Sequence, residues 1–252
     1  MYANYFDPQI GEALVAVLEH NGVSVYVPKE PMQSGMAMIA MGAVERARKL
    51  AARNIAVLAD AVRQGYHIVA TEPAAALCLT HEYPNLIDDE EARLVAANSS
   101  EACTYVWRMH LDKRLRLDDL RRIDATIAYH QPCHIRALRV GSPAEHLMRL
   151  IPGLSVVAEE HGCSGMAGTF GLTRKNYRTS LRAGWDLISW LRQGQMHAGA
   201  TECSSCKLQM EQGTSRPTIH PLKLLAHSYG RLPGGDSLLS AKSAELVVTT
   251  SG

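Results

Sequence analysis

The sequence predicts an α/β fold made of two duplicated parallel-sheet halves related by a pseudo-two-fold axis, with a site at the carboxyl ends of the strands. Helix-period segments alternate with short buried apolar runs, the signature of a parallel sheet covered by helices. Short sequence blocks recur at one fixed spacing. The composition has 46% hydrophobic residues and 10 Met but only 2 Phe. That suits Ala/Leu-rich helices on a modest sheet better than an aromatic-packed sandwich.

Residues 8–20 read as an amphipathic helix with Pro8 in its first turn, stopped by Asn21-Gly22. Val23-Ser-Val-Tyr-Val27 alternates as a strand closed by Pro28, and a Met- and Gly-containing loop follows. A long helix is expected over 44–64, ending at Gly65, and a buried strand over His67–Thr71. After the acidic stretch 88–91, a helix is expected near Glu101–Met109, and the charged segment 112–122 reads as a solvated connector. The pattern then restarts, with strands at Ala125–Tyr129, Leu154–Ala158 and His197–Thr201. Helices are expected over 142–150, 176–193 and 221–229. Residues 232–252 carry no clear period and read as a flexible tail.

Ser34-Gly-Met-Ala37 returns as Ser164-Gly-Met-Ala167, and Thr71-Glu72 returns as Thr201-Glu202, both displaced by 130 residues. Equal displacement with matching helix–strand context argues for duplication. The expected division is a degenerate repeat over 1–115, a site-bearing repeat over 116–231, and the tail.

A net charge of +1 sets up no long-range field for nucleic acid or an anionic membrane. No apolar run approaches the roughly 18 residues needed to cross a bilayer. The amino terminus shows no signal-peptide pattern, so a cytoplasmic protein is expected, peripheral to a membrane only through a partner. Thiols stay reduced there, and spaced cysteines read as ligands or redox groups.

Cys133, Cys163, Cys203 and Cys206 form the chemical centre of the sequence. They sit in Tyr-His-Gln-Pro-Cys-His (129–134), in Gly-Cys-Ser-Gly-Met-Ala-Gly-Thr-Phe-Gly (162–171) and in Cys-Ser-Ser-Cys (203–206). Four soft thiolates, two of them in CxxC, suit a tetrahedral iron–sulfur or zinc centre. Glycines around Cys163, Gly165 among them, let backbone N–H groups approach the sulfurs. Cys78 and Cys103 lie in helical stretches and read as core thiols. His134 and His161 flank ligand cysteines and read first as structural histidines, as does His220 before Pro221.

These motifs, with Glu-Cys-Ser-Ser-Cys-Lys-Leu-Gln-Met-Glu-Gln-Gly-Thr (202–214) and Ile-His-Pro-Leu-Lys-Leu-Leu-Ala (219–226), resemble the cysteine-rich CCG-domain proteins. These include the heterodisulfide reductase B subunit, the glycolate oxidase iron–sulfur subunit and the C subunit of anaerobic glycerol-3-phosphate dehydrogenase. The resemblance implies a duplicated α/β domain that takes electrons from a flavoprotein dehydrogenase subunit and passes them to a downstream acceptor. It implies a 4Fe–4S-type centre on Cys133, Cys163, Cys203 and Cys206. Ser164, Gly165, His134 and Glu72 read, from their own positions, as candidates for the surroundings of those ligands. The chain departs from the pattern in three places. Ser164 replaces a second consecutive cysteine. Gln33-Ser34-Gly35, Glu72 and Ala75 fill the first half's motif without thiols. A preceding ferredoxin-like domain, and the strand before Tyr2, are expected to be missing.

The leading expectation is thus a non-catalytic iron–sulfur electron-transfer component of a flavin-dependent 2-hydroxy-acid (glycolate or lactate type) or glycerol-3-phosphate dehydrogenase. A Cys₄ zinc domain, structural or regulatory, is the alternative. A thiol–disulfide (heterodisulfide-type) reductase using Cys203 and Cys206 is the third.

Overall fold

The computed structural model describes residues 6–29, 32–214 and 216–240. Its dominant feature is a four-stranded parallel sheet formed by β3 (Ala125–Tyr129), β4 (Leu154–Ala158), β5 (Ala198–Ala200) and β6 (Thr218–Ile219), in the order β4–β3–β5–β6. Ala125 pairs with Leu154, Ile127 with Ala198, and Gly199 with Thr218. The first half carries a two-stranded parallel sheet, β1 (Ile68–Ala70) against β2 (Ser99–Glu101). The mixed α/β class with parallel strands in duplicated halves is therefore realised.

Amphipathic helices cover the strands. α1 (Gln9–His20) buries Ile10, Ala13, Leu14, Val17 and Leu18, one stripe at helical spacing. α2 (Met36–Ala40) is short, and α3 (Val44–Arg63) buries Ala47, Ala51, Ile55, Leu58 and Ala59. α4 (Pro73–Leu77) continues through a widened π turn at Cys78–Glu82 into α5 (Tyr83–Leu86). Pro84 has no N–H to give the helix ladder there, and a π turn absorbs such a gap. α6 (Glu90–Ala97) opens on Asp89, whose carboxylate accepts the Ala92 N–H at 2.7 Å. α7 (Ala102–Leu111) completes the first half. The second half contributes α8 (Cys133–Leu138), α9 (Pro143–Arg149), α10 (Tyr177–Ala183), α11 (Trp185–Gln193), α12 (Ser204–Thr214) and α13 (Pro221–Ser228).

One core joins the halves: Val17 and Leu18 of α1 and Val106 of α7 pack with Ile127, Leu147, Ile219, Leu222 and Leu225. A second core lies within the first half, around Ile55, Leu58, Cys78 and Tyr83. Cys78 and Cys103 are both fully buried, as core thiols should be. Burial pushes the Cys78 thiol up to about 12, and its S–H donates to Ser34 O at 3.0 Å.

The structure departs from the expectations in four places. Val23–Val27 is extended with alternating exposure but belongs to no strand pair among the described residues. Ser99–Glu101 is a strand, disguised by two serines and a glutamate that lack β propensity but are buried. The long helix expected over 176–193 breaks at Gly184, which separates α10 from α11. A Cβ at Gly184 would lie 2.0 Å from Ser164 O, so this glycine lets the helix pair accept the loop before α10. Of the segment expected to be a tail, Leu232 is buried and Pro233 O accepts from Gln9 Nε2 at 3.0 Å. Residues 241–252 lie outside the described residues.

Ile127→Ala should cost about 2–5 kcal/mol in urea unfolding, since Ile127 is fully buried at the centre of the sheet. Gly184→Ala keeps an allowed backbone (φ −94°) yet meets Ser164 O, so it should cost about 1–3 kcal/mol. It should also speed alkylation of Cys163, because the loop must move away. Unchanged stability and unchanged labelling would refute that packing.

Candidate metal centre

Three neighbouring parallel strands deliver the four cysteines. β3 ends at Tyr129, and Cys133 opens α8 just after Pro132. β4 ends at Ala158, and the following loop carries Cys163. β5 ends at Ala200, and Cys203 precedes α12, with Cys206 in its first turn. Parallel pairing sends all three chain exits to one edge of the sheet. All four cysteines line one large, mainly apolar cavity of about 1620 Å³.

The four are not equivalent. Cys203 and Cys206 are buried, packed with Ala128, Leu187, Leu191 and Met210, whereas Cys133 and Cys163 are exposed at the rim. The Cys206 thiol donates to Cys203, which draws Cys203 down to about 6 despite its burial and holds Cys206 well above the usual thiol range. Ser205 Oγ lies 3.2 Å from Cys203 Sγ, and Ser164 Oγ donates to Cys206 Sγ at 3.2 Å. Burial pushes Cys133 up, and the charges of Cys163 and Cys203 add to the effect even though Cys133 reaches solvent. Among the described residues, no three His, Cys, Asp or Glu side chains already close into a metal-holding group. The thiols surround one space without yet enclosing it. As donors they fit a thiolate-bound centre: four sulfurs around one cavity, one readily ionised, with N–H and O–H groups aimed at them.

Gly165 donates its N–H to Cys163 Sγ at 3.3 Å. Its φ is +86°, and a Cβ there would lie 2.1 Å from Ser180 O, so only glycine fits. His134 Nδ1 lies 3.7 Å from Cys133 Sγ. Glu72, from the first half, reaches across the molecule: its carboxylate accepts from Ser204 N at 3.2 Å and from Ser204 Oγ, at the start of α12. Burial and the nearby Cys203 charge push Glu72 up to about 8. It thus touches the helix that carries Cys206 rather than a thiol. His161 stacks on Trp190 at 4.5 Å and pairs with Glu159. His220 is buried, accepts the Leu222 N–H at 3.2 Å, and is held down to about 4 by burial. These are the contacts a structural histidine makes.

Sequence reasoning missed a buried acidic layer beneath the site. Glu202 is fully buried, and its Oε1 accepts from Tyr129 OH at 2.9 Å. Glu101 accepts the N–H groups of Cys103 and Thr104, both at 2.8 Å. Burial raises both carboxyls. The placement of Glu202 directly before Cys203, at the end of a buried strand, was the available signal.

The cysteine-rich domain (CCG) family model matches residues 1–81 and 127–211. The chain is 32% identical over 228 residues to the C subunit of anaerobic glycerol-3-phosphate dehydrogenase from Escherichia coli K12, covering 90% of this chain and 57% of that protein. It is 29% identical over 174 residues to lactate utilization protein A of Shouchella clausii, covering 68% of this chain and 71% of that protein. Lactate utilization protein A of an Exiguobacterium strain is 28% identical over 169 residues. The chain therefore spans little more than half the length of the glycerol-3-phosphate relative. The two matched segments carry the duplicated parallel units just described, and the chain belongs to the cysteine-rich domain (CCG) family.

Proposed function

We propose that the chain is the electron-transfer unit of an oxidoreductase, holding a 4Fe–4S-type centre through Cys133, Cys163, Cys203 and Cys206. The observation that carries the reading is the delivery of four thiols by β3, β4 and β5 into one cavity. Such a centre, when bound, supplies reversible one-electron chemistry. The chain's own residues hold and tune it. Cys203 enters as a ready thiolate, and Gly165 N–H and Ser164 Oγ point at sulfurs, where hydrogen bonds adjust potential. Leu187, Leu191 and Met210 pack against the inner pair. The relatives' names, a glycerol-3-phosphate dehydrogenase subunit and a lactate utilization protein, support a dehydrogenase setting. In the proposed assembly a flavoprotein partner acts on a 2-hydroxy acid or on glycerol-3-phosphate, and a separate acceptor lies downstream. Among the described residues no helix is long and apolar enough to cross a membrane.

One observation favours a second reading, thiol–disulfide exchange. Cys206 donates to Cys203 at the start of a helix that follows a buried strand, a setting that activates CxxC thiols.

Anaerobically prepared protein should carry roughly four iron and four sulfide per chain, with a visible band that bleaches on reduction. One equivalent of zinc in colourless protein would instead establish the Cys₄ zinc alternative. Serine at Cys133, Cys163, Cys203 or Cys206 should each cut iron content several-fold, while Cys78→Ser and Cys103→Ser should not. In metal-free protein, thiolate ultraviolet absorbance assignable to Cys203 should grow as pH rises through about 6. Cys203→Ser should remove that step, and if the step stays with Cys203 absent, the assignment fails.

A further inference from the structure

Residues 162–185 carry Arg174, Lys175, Arg178 and Arg182 and not one acidic residue, in a chain whose charges balance to +1. All four cations are exposed. Among the described residues none of them has a carboxylate partner, whereas Arg63, Arg93 and Arg136 each pair with one. Large apolar side chains stand among them: Phe170 is 42% exposed, Leu172 55% and Trp185 53%. Exposed apolar side chains scattered singly need no explanation, but these gather on one short stretch.

The stretch forms one surface. A 3₁₀ turn at Phe170–Leu172 packs on α10, and Thr173 O accepts the N–H groups of Asn176 and Tyr177, both at 3.0 Å. The Arg192 guanidinium lies 5.6 Å from the centre of the Trp185 ring, and its Nε donates to Gly213 O at 2.7 Å. The indole is thus held in place while it faces solvent. This surface is also fastened to the loop of Cys163. Ser180 of α10 is fully buried and bonds to Gly165 O, and a Cβ at Gly171 would strike Ser180 Oγ. Thr169 and Phe170 line the cavity together with Cys133 and Cys163, the two exposed thiols.

We propose that this surface docks an acidic electron-carrier protein and brings the carrier's redox group against the Cys133 and Cys163 side of the cavity. The inference rests on the electron-transfer reading above and names the kind of partner that reading requires. Unpaired cations around the exposed thiols steer a negatively charged face toward them. Trp, Tyr and Arg are the side chains that anchor protein interfaces, and Trp185, Tyr177, Arg174 and Arg178 supply them here. One electron crosses per encounter, from the reduced partner to the oxidised one, and no bond is made or broken. A lipid surface fits less well. Helices that lie in a bilayer interface offer one long apolar stripe, and α11 spends its own, Leu187, Ile188 and Leu191, on the core.

The test titrates the anaerobically purified chain into labelled flavodoxin, a small acidic flavin carrier, and reads binding by fluorescence anisotropy. Cytochrome c, a basic carrier, and vesicles of anionic phospholipid are the other probes. Flavodoxin should bind at low salt, and its affinity should fall about tenfold or more between about 50 and about 300 mM NaCl. Arg174→Glu combined with Arg178→Glu should weaken binding about tenfold or more, and Trp185→Ala several-fold at either salt concentration. Unchanged urea unfolding shows that the variants are folded. The proposal is overturned if flavodoxin does not bind, if cytochrome c binds as tightly, or if the charge-reversed variant binds flavodoxin as well as the parent. Capture by the vesicles in preference to flavodoxin, lost in the same variant, would assign the surface to lipid and overturn it too. Binding needs no bound centre, so the two readings separate. Iron-bearing protein that ignores flavodoxin removes the docking surface alone. Iron-free protein that binds it through Arg174 and Arg178 keeps the docking surface and removes the electron-transfer reading.

Discussion

Parallel pairing of β3 with both β4 and β5 is the constraint on which the site depends. It sets three chain exits side by side, and every thiol of the centre lies within a few residues of one of them. The pairing is flanked by the apolar contacts of Ile127 and Val156 on one face and of Ala128 with Leu187, Leu191 and Met210 on the other. The scaffold that gathers the sulfurs can therefore exist before any ion is present. In this respect the proposed centre would differ from small zinc domains, where the metal provides the fold.

The loop bearing Cys163 needs a second layer of support, because β4 alone leaves it free to swing. Two close backbone approaches provide it, Gly165 over Ser180 and Gly184 over Ser164, reinforced by Ser180 Oγ donating to Gly165 O at 2.8 Å. Glu72 adds a tie from the other half at the start of α12. A first half without thiols at the matching positions thus still contacts the helix that carries Cys206.

Much of this was legible in the sequence. β3 and β4 emerge from apolar runs with sharp polar limits, and α1 and α3 from one clean stripe each. The cysteine spacing pointed to strand ends because short buried strands precede Cys133 and Cys203. What stayed hidden depended on contacts between distant segments. Periodicity runs smoothly through Gly184, and only Ser164, twenty residues earlier, explains the break there. Ser99–Glu101 carries no strand signal because its polar side chains are satisfied inside the fold: Ser99 Oγ donates to Val95 O at 2.7 Å. Val23–Val27 has the right pattern, but pattern alone does not say whether a neighbour is present to complete the ladder. The Cys203–Glu72 relation likewise joins positions more than a hundred residues apart.

The four-cysteine arrangement is lopsided, with two sulfurs sunk in hydrocarbon and two standing at the mouth of the cavity. Oxygen, peroxide or a competing chelator arriving from solvent meets Cys133 and Cys163 long before it meets the inner pair. In the proposed centre, damage would accordingly begin at one side, at Cys133 and Cys163, and repair would start from a half-built site rather than from nothing.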